Sequence, residues 1–256
     1  MPKIGESLNN HTLATGAYGY SAVSIDDLGA TEYTLVTIVQ DISSSVYSFK
    51  DDMEACLGKV IKACSKSPRS DNLLVRFVTF NSNVEEAHGF KLLSECNPDD
   101  YLNSLNPKGS TALFDATENA IAASADYGKT LIASEYDVNA IVVIITDGGD
   151  NVSKLTTACV DKARKKALQS ECLESCTTIL VGVGIGDYPE VEPDLLDFKD
   201  KAGLTQFIAI KDANPDTLAK LAQFMSQSIS ATSQALGTGG PSQLLSSNAS
   251  GPFLTF

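Results

Sequence analysis

The segment YTLVTIVQDISSS, Tyr33 to Ser45, decides the fold. Its first eight residues, through Gln40, are almost all apolar or β-branched and show no alternation. A run of that length and kind reads as a strand buried on both faces. Double burial requires layers above and below, which points to a parallel sheet covered by helices. Working outward, Lys50 to Cys64 places Met53, Cys56, Leu57, Val60, Ile61 and Cys64 at helical spacing. Leu73 to Phe80 is a second strand, Asn81-Ser82-Asn83 supplies turn chemistry, and Val84 to Leu93 reads as a hairpin return. Gly109-Ser110-Thr111 leads into a helix with Leu113, Ala116, Ala120 and Ile121 on one face, which residues 127–139 extend or interrupt.

Ala140 to Thr146, AIVVIIT, is the strongest buried strand, and Ser153 reads as the N-cap of a helix through Leu168. Thr177 to Gly184 and Leu204 to Ile210 are further strands. Between them lies a helix from Pro193 to Ala202, with Gly203 at its C′ position. Asn214-Pro215 opens a helix with Leu218, Leu221, Ala222, Met225 and Ile229 inward. The alternation predicts an α/β fold with a doubly wound, mostly parallel sheet and one antiparallel edge strand. Three parts are expected: an arm over 1–32, a domain over 33–232, and a Ser-, Gly- and Ala-rich tail over 233–256 whose apolar end frays.

Composition narrows the function. The chain has 19 basic and 32 acidic residues, a net charge of −13, which argues against nucleic acid or an anionic membrane as partner. There is no secretory signal at the start and no run of about 20 apolar residues, so a cytoplasmic location is expected. The only histidines are His11 and His88, which argues against imidazole catalysis and a multi-His metal site. Six cysteines form no zinc set; Cys172 and Cys176 lack a second pair, and free thiols are expected.

Ligands of open α/β sheets bind where strands end. After the first strand comes Asp41-Ile-Ser43-Ser-Ser45, after the strongest strand comes Asp147-Gly-Gly-Asp150, and between them lies Gly109-Ser110-Thr111. Two carboxylates and several hydroxyls suit a hard cation, Mg²⁺, Mn²⁺ or Ca²⁺. Asp41, Ser43 and Ser45 alternate by two and so share a side in an extended loop.

DISSS, GSTAL and TDGGDN together resemble the metal-ion-dependent adhesion site of the von Willebrand factor A domain family. The resemblance runs from about Tyr33 to about Ser230 and includes the order of strands and helices. It implies a Rossmann-like fold and a metal held by Asp41, Ser43, Ser45, Thr111 and Asp147. Ser43 and Ser45 would be direct ligands, Thr111 a ligand in the partner-bound state, and the two aspartates would act often through waters. It implies a non-enzymatic module that recognises an Asp or Glu of a protein partner, with no catalytic residue and no organic cofactor. Intracellular prokaryotic members often work with MoxR-type AAA+ ATPases or in stress response.

Competing readings fit less well. Gly182, Gly184 and Gly186 imitate a dinucleotide fingerprint, but Asp187-Tyr188-Pro189 breaks the helix start that pyrophosphate needs. A dehalogenase-type phosphatase wants Asp at position 43, a receiver domain wants an acidic pair and Lys that do not map, and no Gly-x-Ser-x-Gly elbow exists. The alternatives kept open are a metal-dependent phosphate-ester hydrolase and a scaffold with a purely structural metal. Asp150 and Asn151 read as turn and cap formers, His88 as structural, and Lys162, Arg164, Lys165 and Lys166 as a solvated helix face.

Overall fold

A computed structural model describes residues 8–13, 19–169, 172–238 and 253–255. Its strands are β1 (Leu8–Thr12), β2 (Gly19–Val23), β3 (Glu32–Asp41), β4 (Leu73–Phe80), β5 (Val84–Leu92), β6 (Asp137–Thr146), β7 (Cys176–Val183), β8 (Gln206–Ile210) and β9 (Phe253–Thr255). The helices are α1 (Lys50–Cys64), α2 (Leu113–Ile132), α3 (Thr157–Gln169), α4 (Val191–Ala202) and α5 (Pro215–Thr238). The strands form one sheet in the order β1-β2-β5-β4-β3-β6-β7-β8-β9.

From β4 through β9 every pairing is parallel, as expected for a doubly wound fold. The run read first from the sequence, β3, sits in the middle, buried from Tyr33 to Asp41. On one face Val36, Ile38, Val75 and Phe77 pack against α1 and α5, including Met53, Leu57, Leu221 and Met225. On the other, Leu35, Val39, Leu74 and Val142 pack against α2, α3 and α4, including Leu113, Ala120, Val160 and Leu195. The amphipathic stripes of α1, α2 and α5 are those the sequence predicts.

β5 returns antiparallel to β4 but does not end the sheet. β2 pairs parallel to β5 at Ala22–Phe90, and β1 closes antiparallel on β2. Gly89 permits this approach, since a Cβ there would fall 2.1 Å from the Ser21 carbonyl oxygen. Tyr20, Ala22 and Val23 thereby join the core under α2. At the other end α5 continues through Thr238 with Ala235 and Leu236 buried, beyond the point where Ser and Ala content suggested a tail. Phe253–Thr255 adds a strand beside β8 where a frayed end was expected. The expectations for 1–7, 14–18 and 239–252 lie outside the described residues.

All six cysteines are free thiols, and Cys56, Cys64, Cys96 and Cys172 are buried. Lys162, Lys165 and Lys166 are exposed on α3, the solvated face they were read to be, and Lys165 pairs with Asp161. Arg164 also pairs with Asp161 but is partly buried, with its guanidinium against Gly203.

His88 is buried in β5, with Nδ1 3.0 Å from the Gly89 carbonyl oxygen and Nε2 2.8 Å from the Tyr101 hydroxyl. A carbonyl only accepts, so Nδ1 carries the proton and Nε2 accepts from Tyr101. Burial pushes the imidazole down to about 4, against the raising effect of the Gly89 bond. A His whose folded value lies below its unfolded one binds fewer protons folded. Its stabilising effect is complete above about 6.5 and is lost as pH falls toward 4, a loss of about 3 kcal/mol. Urea unfolding between pH 7 and 4 is expected to show this loss in the parent and a flatter profile in His88→Gln. Equal slopes would refute the assignment.

Candidate metal centre

Parallel register builds the site. β3 and β6 are paired level, with Gln40 opposite Ile145, so Asp41 and Thr146 end side by side. Asp41 has no solvent exposure. Its Oδ1 accepts the Ser43 amide at 2.7 Å and its Oδ2 accepts the Thr146 hydroxyl at 2.7 Å. The chain turns over this carboxylate, which holds Ser43 buried and leaves Ser45 at the surface. Ser43 Oγ lies 3.1 Å from Ser45 Oγ, and Ser45 Oγ donates to Asp147 Oδ1 at 3.0 Å.

Thr111 arrives on a separately anchored loop. Lys108 N–H donates to the Ile42 carbonyl at 2.8 Å, and the Ser44 amide and hydroxyl both donate to the Gly109 carbonyl. Gly109 has φ +77°, a left-handed turn that favours glycine, with Ser82 Oγ 3.0 Å from where a Cβ would stand. The Thr111 amide donates to Asn151 Oδ1 at 2.8 Å, and its carbonyl accepts the Asn151 amide at 3.0 Å. Ala112 N–H donates to the Asn81 carbonyl at 2.7 Å. The sheet edge thus gathers Asp41, Ser43, Ser45 and Asp147 into one hydrogen-bonded chain. Thr111 is fixed at the same edge through its backbone, and its hydroxyl bonds none of the other four.

Thr111 stands just before Ala112, the N-cap of α2, which has no side-chain cap bond. One role read from the sequence changes. Ser153 does not cap α3, which starts at Thr157. Its hydroxyl accepts from the amides of Phe114 and Asp115 at the start of α2 and donates to Asp150. Asp115 accepts in return from the amides of Lys154 and Leu155. This reciprocal cap ties the loop after Asp147 to the helix after Thr111. The parts that Thr146 and Asn81 play at the site escaped sequence reading. Thr146 was read only as a strand end, and Asn81 acts through its backbone carbonyl.

Burial is the main influence on both carboxylates. It pushes Asp41 up to about 7, against the hydrogen bonds from Thr146 and Ser43 and with the nearby Asp147 charge. It also raises Asp147, against its hydrogen bond from Ser45. Two neighbouring carboxylates held above their usual range by burial are suited to a cation. Oxygen ligands adjacent on a Mg²⁺ octahedron, at about 2.0–2.1 Å from the ion, stand about 3 Å apart. The Ser43–Ser45 and Ser45–Asp147 separations match that spacing. Among the described residues no group of three or more His, Cys, Asp or Glu side chains could hold a metal, so a cation at this edge would need hydroxyl ligands as well.

The sequence profile of the von Willebrand factor type A domain matches residues 36–227. The chain belongs to this family. Its domains are commonly protein-interaction modules. No curated protein matches the sequence. Among solved structures, the PilB minor pilin from Streptococcus sanguinis is 14% identical with a TM-score of 0.58, over 86% of this chain and 66% of that one. The pilus adhesin SpaC from Lactobacillus rhamnosus GG is 10% identical with a TM-score of 0.57, over 88% of this chain and 34% of that one. The chain therefore spans just under two thirds of PilB and about a third of SpaC, and at these identities the likeness is one of fold. Among the described residues no helix is long and apolar enough to cross a membrane.

Proposed function

We propose that this von Willebrand A domain is a non-enzymatic, divalent-metal-dependent binding module, with Asp41, Ser43, Ser45, Thr111 and Asp147 holding Mg²⁺, or Mn²⁺ or Ca²⁺ in its place. Its ligand is an Asp or Glu side chain of a protein partner. The observation that carries this reading is the convergence of Ser43 Oγ, Ser45 Oγ and Asp147 Oδ1 at 3.0–3.1 Å on the open end of the sheet, above a buried Asp41. When bound, the cation supplies an electrophile whose charge is only partly neutralised by a shell rich in neutral hydroxyls. Asp41, with both oxygens occupied by Ser43 and Thr146, positions the loop more than it covers the ion.

Hydrolysis is the weaker reading because no imidazole base stands at the site. His88 is buried against Tyr101, and His11 stacks on Tyr20 in the hairpin across the sheet. Asp41 has a suitable proton affinity but no exposure to a substrate. The partner we propose is a protein, a MoxR-type AAA+ ATPase being one class, and the compartment we propose is the cytoplasm.

Titration calorimetry with Mg²⁺ and Mn²⁺ is expected to give one saturable site that disappears in the Asp41→Ala, Ser43→Ala double variant. No site, or an unchanged one, would defeat the proposal. Capture of a partner that is abolished by EDTA while the circular dichroism spectrum stays unchanged separates recognition from a purely structural metal. Phosphate release in Mg²⁺ would favour the hydrolase.

A further inference from the structure

A cavity of about 500 Å³ opens beside Ser45 and Asp147 at the carboxyl ends of β6, β7 and β8. Its walls carry Phe49 and Tyr188, and its charged lining is Asp147, Asp187 and Asp212 against the single ammonium of Lys211. Gly184, at φ +71°, turns the chain after β7 so that Asp187 and Tyr188 stand on the rim. The rim also carries an exposed aromatic side chain: Tyr188, part of the cavity lining, is 56% exposed. Tyr47, two residues before Phe49 in the short 3-10 turn Ser44–Phe49, is 76% exposed. Exposed tyrosines beside a cleft are a mark of protein recognition.

We propose that this cavity is a second subsite that takes an arginine or lysine side chain of the same partner segment whose carboxylate meets the metal. The inference rests on the metal reading above and adds the partner's second determinant. Ser45 and Asp147 belong to both sites, so the two subsites share a wall and the two partner residues lie within a few positions of each other. The acidic excess of the lining favours a cation. The Tyr188 and Phe49 rings offer faces for a guanidinium or an alkyl stem. An anionic neighbour would meet three carboxylates against the one ammonium of Lys211.

The test uses the full chain on an array of immobilised peptides, each with one central Asp and every flanking position varied, in Mg²⁺ and in EDTA. In Mg²⁺ the parent is expected to favour Arg or Lys near the Asp by about tenfold over Glu. Asp187→Asn with Asp212→Asn, both exposed positions, is expected to erase that preference and keep the Mg²⁺-dependent requirement for Asp. No basic preference, or one that survives the double substitution, overturns the cavity proposal. A basic preference that depends on Asp187 and Asp212 but is equal in EDTA keeps the cavity and instead defeats the metal reading.

Discussion

Asp41→Asn is expected to lose about 100-fold or more in Mg²⁺ affinity and yet to make the metal-free protein more stable at pH 8. The first effect follows from geometry. Asp41 orients the Ser43 amide and the Thr146 hydroxyl and carries charge beneath the site, and groups that orient ligands are commonly worth 10–100-fold before charge is counted. The second follows from linkage. The folded carboxyl is raised to about 7 by burial, against an ordinary 3.8. The folded state therefore holds a proton that the unfolded chain has lost, and this stabilising effect is complete below pH 4 and gone above pH 7. Its loss amounts to about 4 kcal/mol, and an amide, which has no charge to desolvate, is expected to recover about 2–4 kcal/mol. The asparagine amide group can donate to Thr146, whose single hydroxyl hydrogen can then turn from residue 41 to the Gly148 carbonyl, 2.8 Å away.

The same shift sets the pH dependence of the parent. One proton must leave Asp41 before a cation enters, so Mg²⁺ affinity is expected to fall about tenfold per pH unit below 7 and to level off above it. In Asp41→Asn the residual affinity should vary little with pH. Thermal melts and calorimetry from pH 5 to 8 read both effects. A variant that binds Mg²⁺ like its parent, or melts lower without metal at pH 8, would show that Asp41 does not have this role.

The second large effect is structural. Arg76 in β4 is 1% exposed, and burial alone would pull its guanidinium down. Glu86 on β5 offsets this, accepting from Arg76 Nε at 2.5 Å. The same carboxylate accepts the Ser21 amide and hydroxyl at 2.8 and 2.6 Å, so one ion pair joins β2, β5 and β4. Arg76 Nη2 also donates to Asn119 of α2 at 3.0 Å. Arg76→Met is expected to cost about 3–5 kcal/mol, because it strands a largely buried carboxylate. That lowers the melting temperature by about 10 °C. Adding Glu86→Gln removes the stranded charge and keeps an acceptor for Ser21, so the double variant should melt higher than Arg76→Met alone. If the second substitution lowers it further, the pair is not the source of the loss.

Much of this was legible in the chain. The boundaries of α1 and β4 fall where the apolar spacing put them, because each has a buried face with a strong period. The aspartates and hydroxyls at the strand ends were visible for a related reason, since a buried strand must end at a sheet edge. The N-terminal hairpin was not legible as part of the core. Tyr20 and Ala22 are buried by β5 and α2, partners more than 60 residues away, and no local period records that. The continuation of α5 was hidden because Ser and Thr at its buried positions look like linker composition.

The sequence by itself determined the central sheet, its helices and the residue types of the candidate site, since these follow from local patterns of apolar, hydroxyl and carboxylate groups. Only the tertiary structure decided which of those groups meet. Parallel register sets Asp41 beside Thr146, hydrogen bonds to Ile42, Ser44, Asn81 and Asn151 bring in the Thr111 loop, and burial raises the Asp41 carboxyl. The cavity between the ends of β6, β7 and β8 also exists only in three dimensions. Register, desolvation and concavity depend on contacts between distant segments, and one-dimensional spacing carries no measure of them.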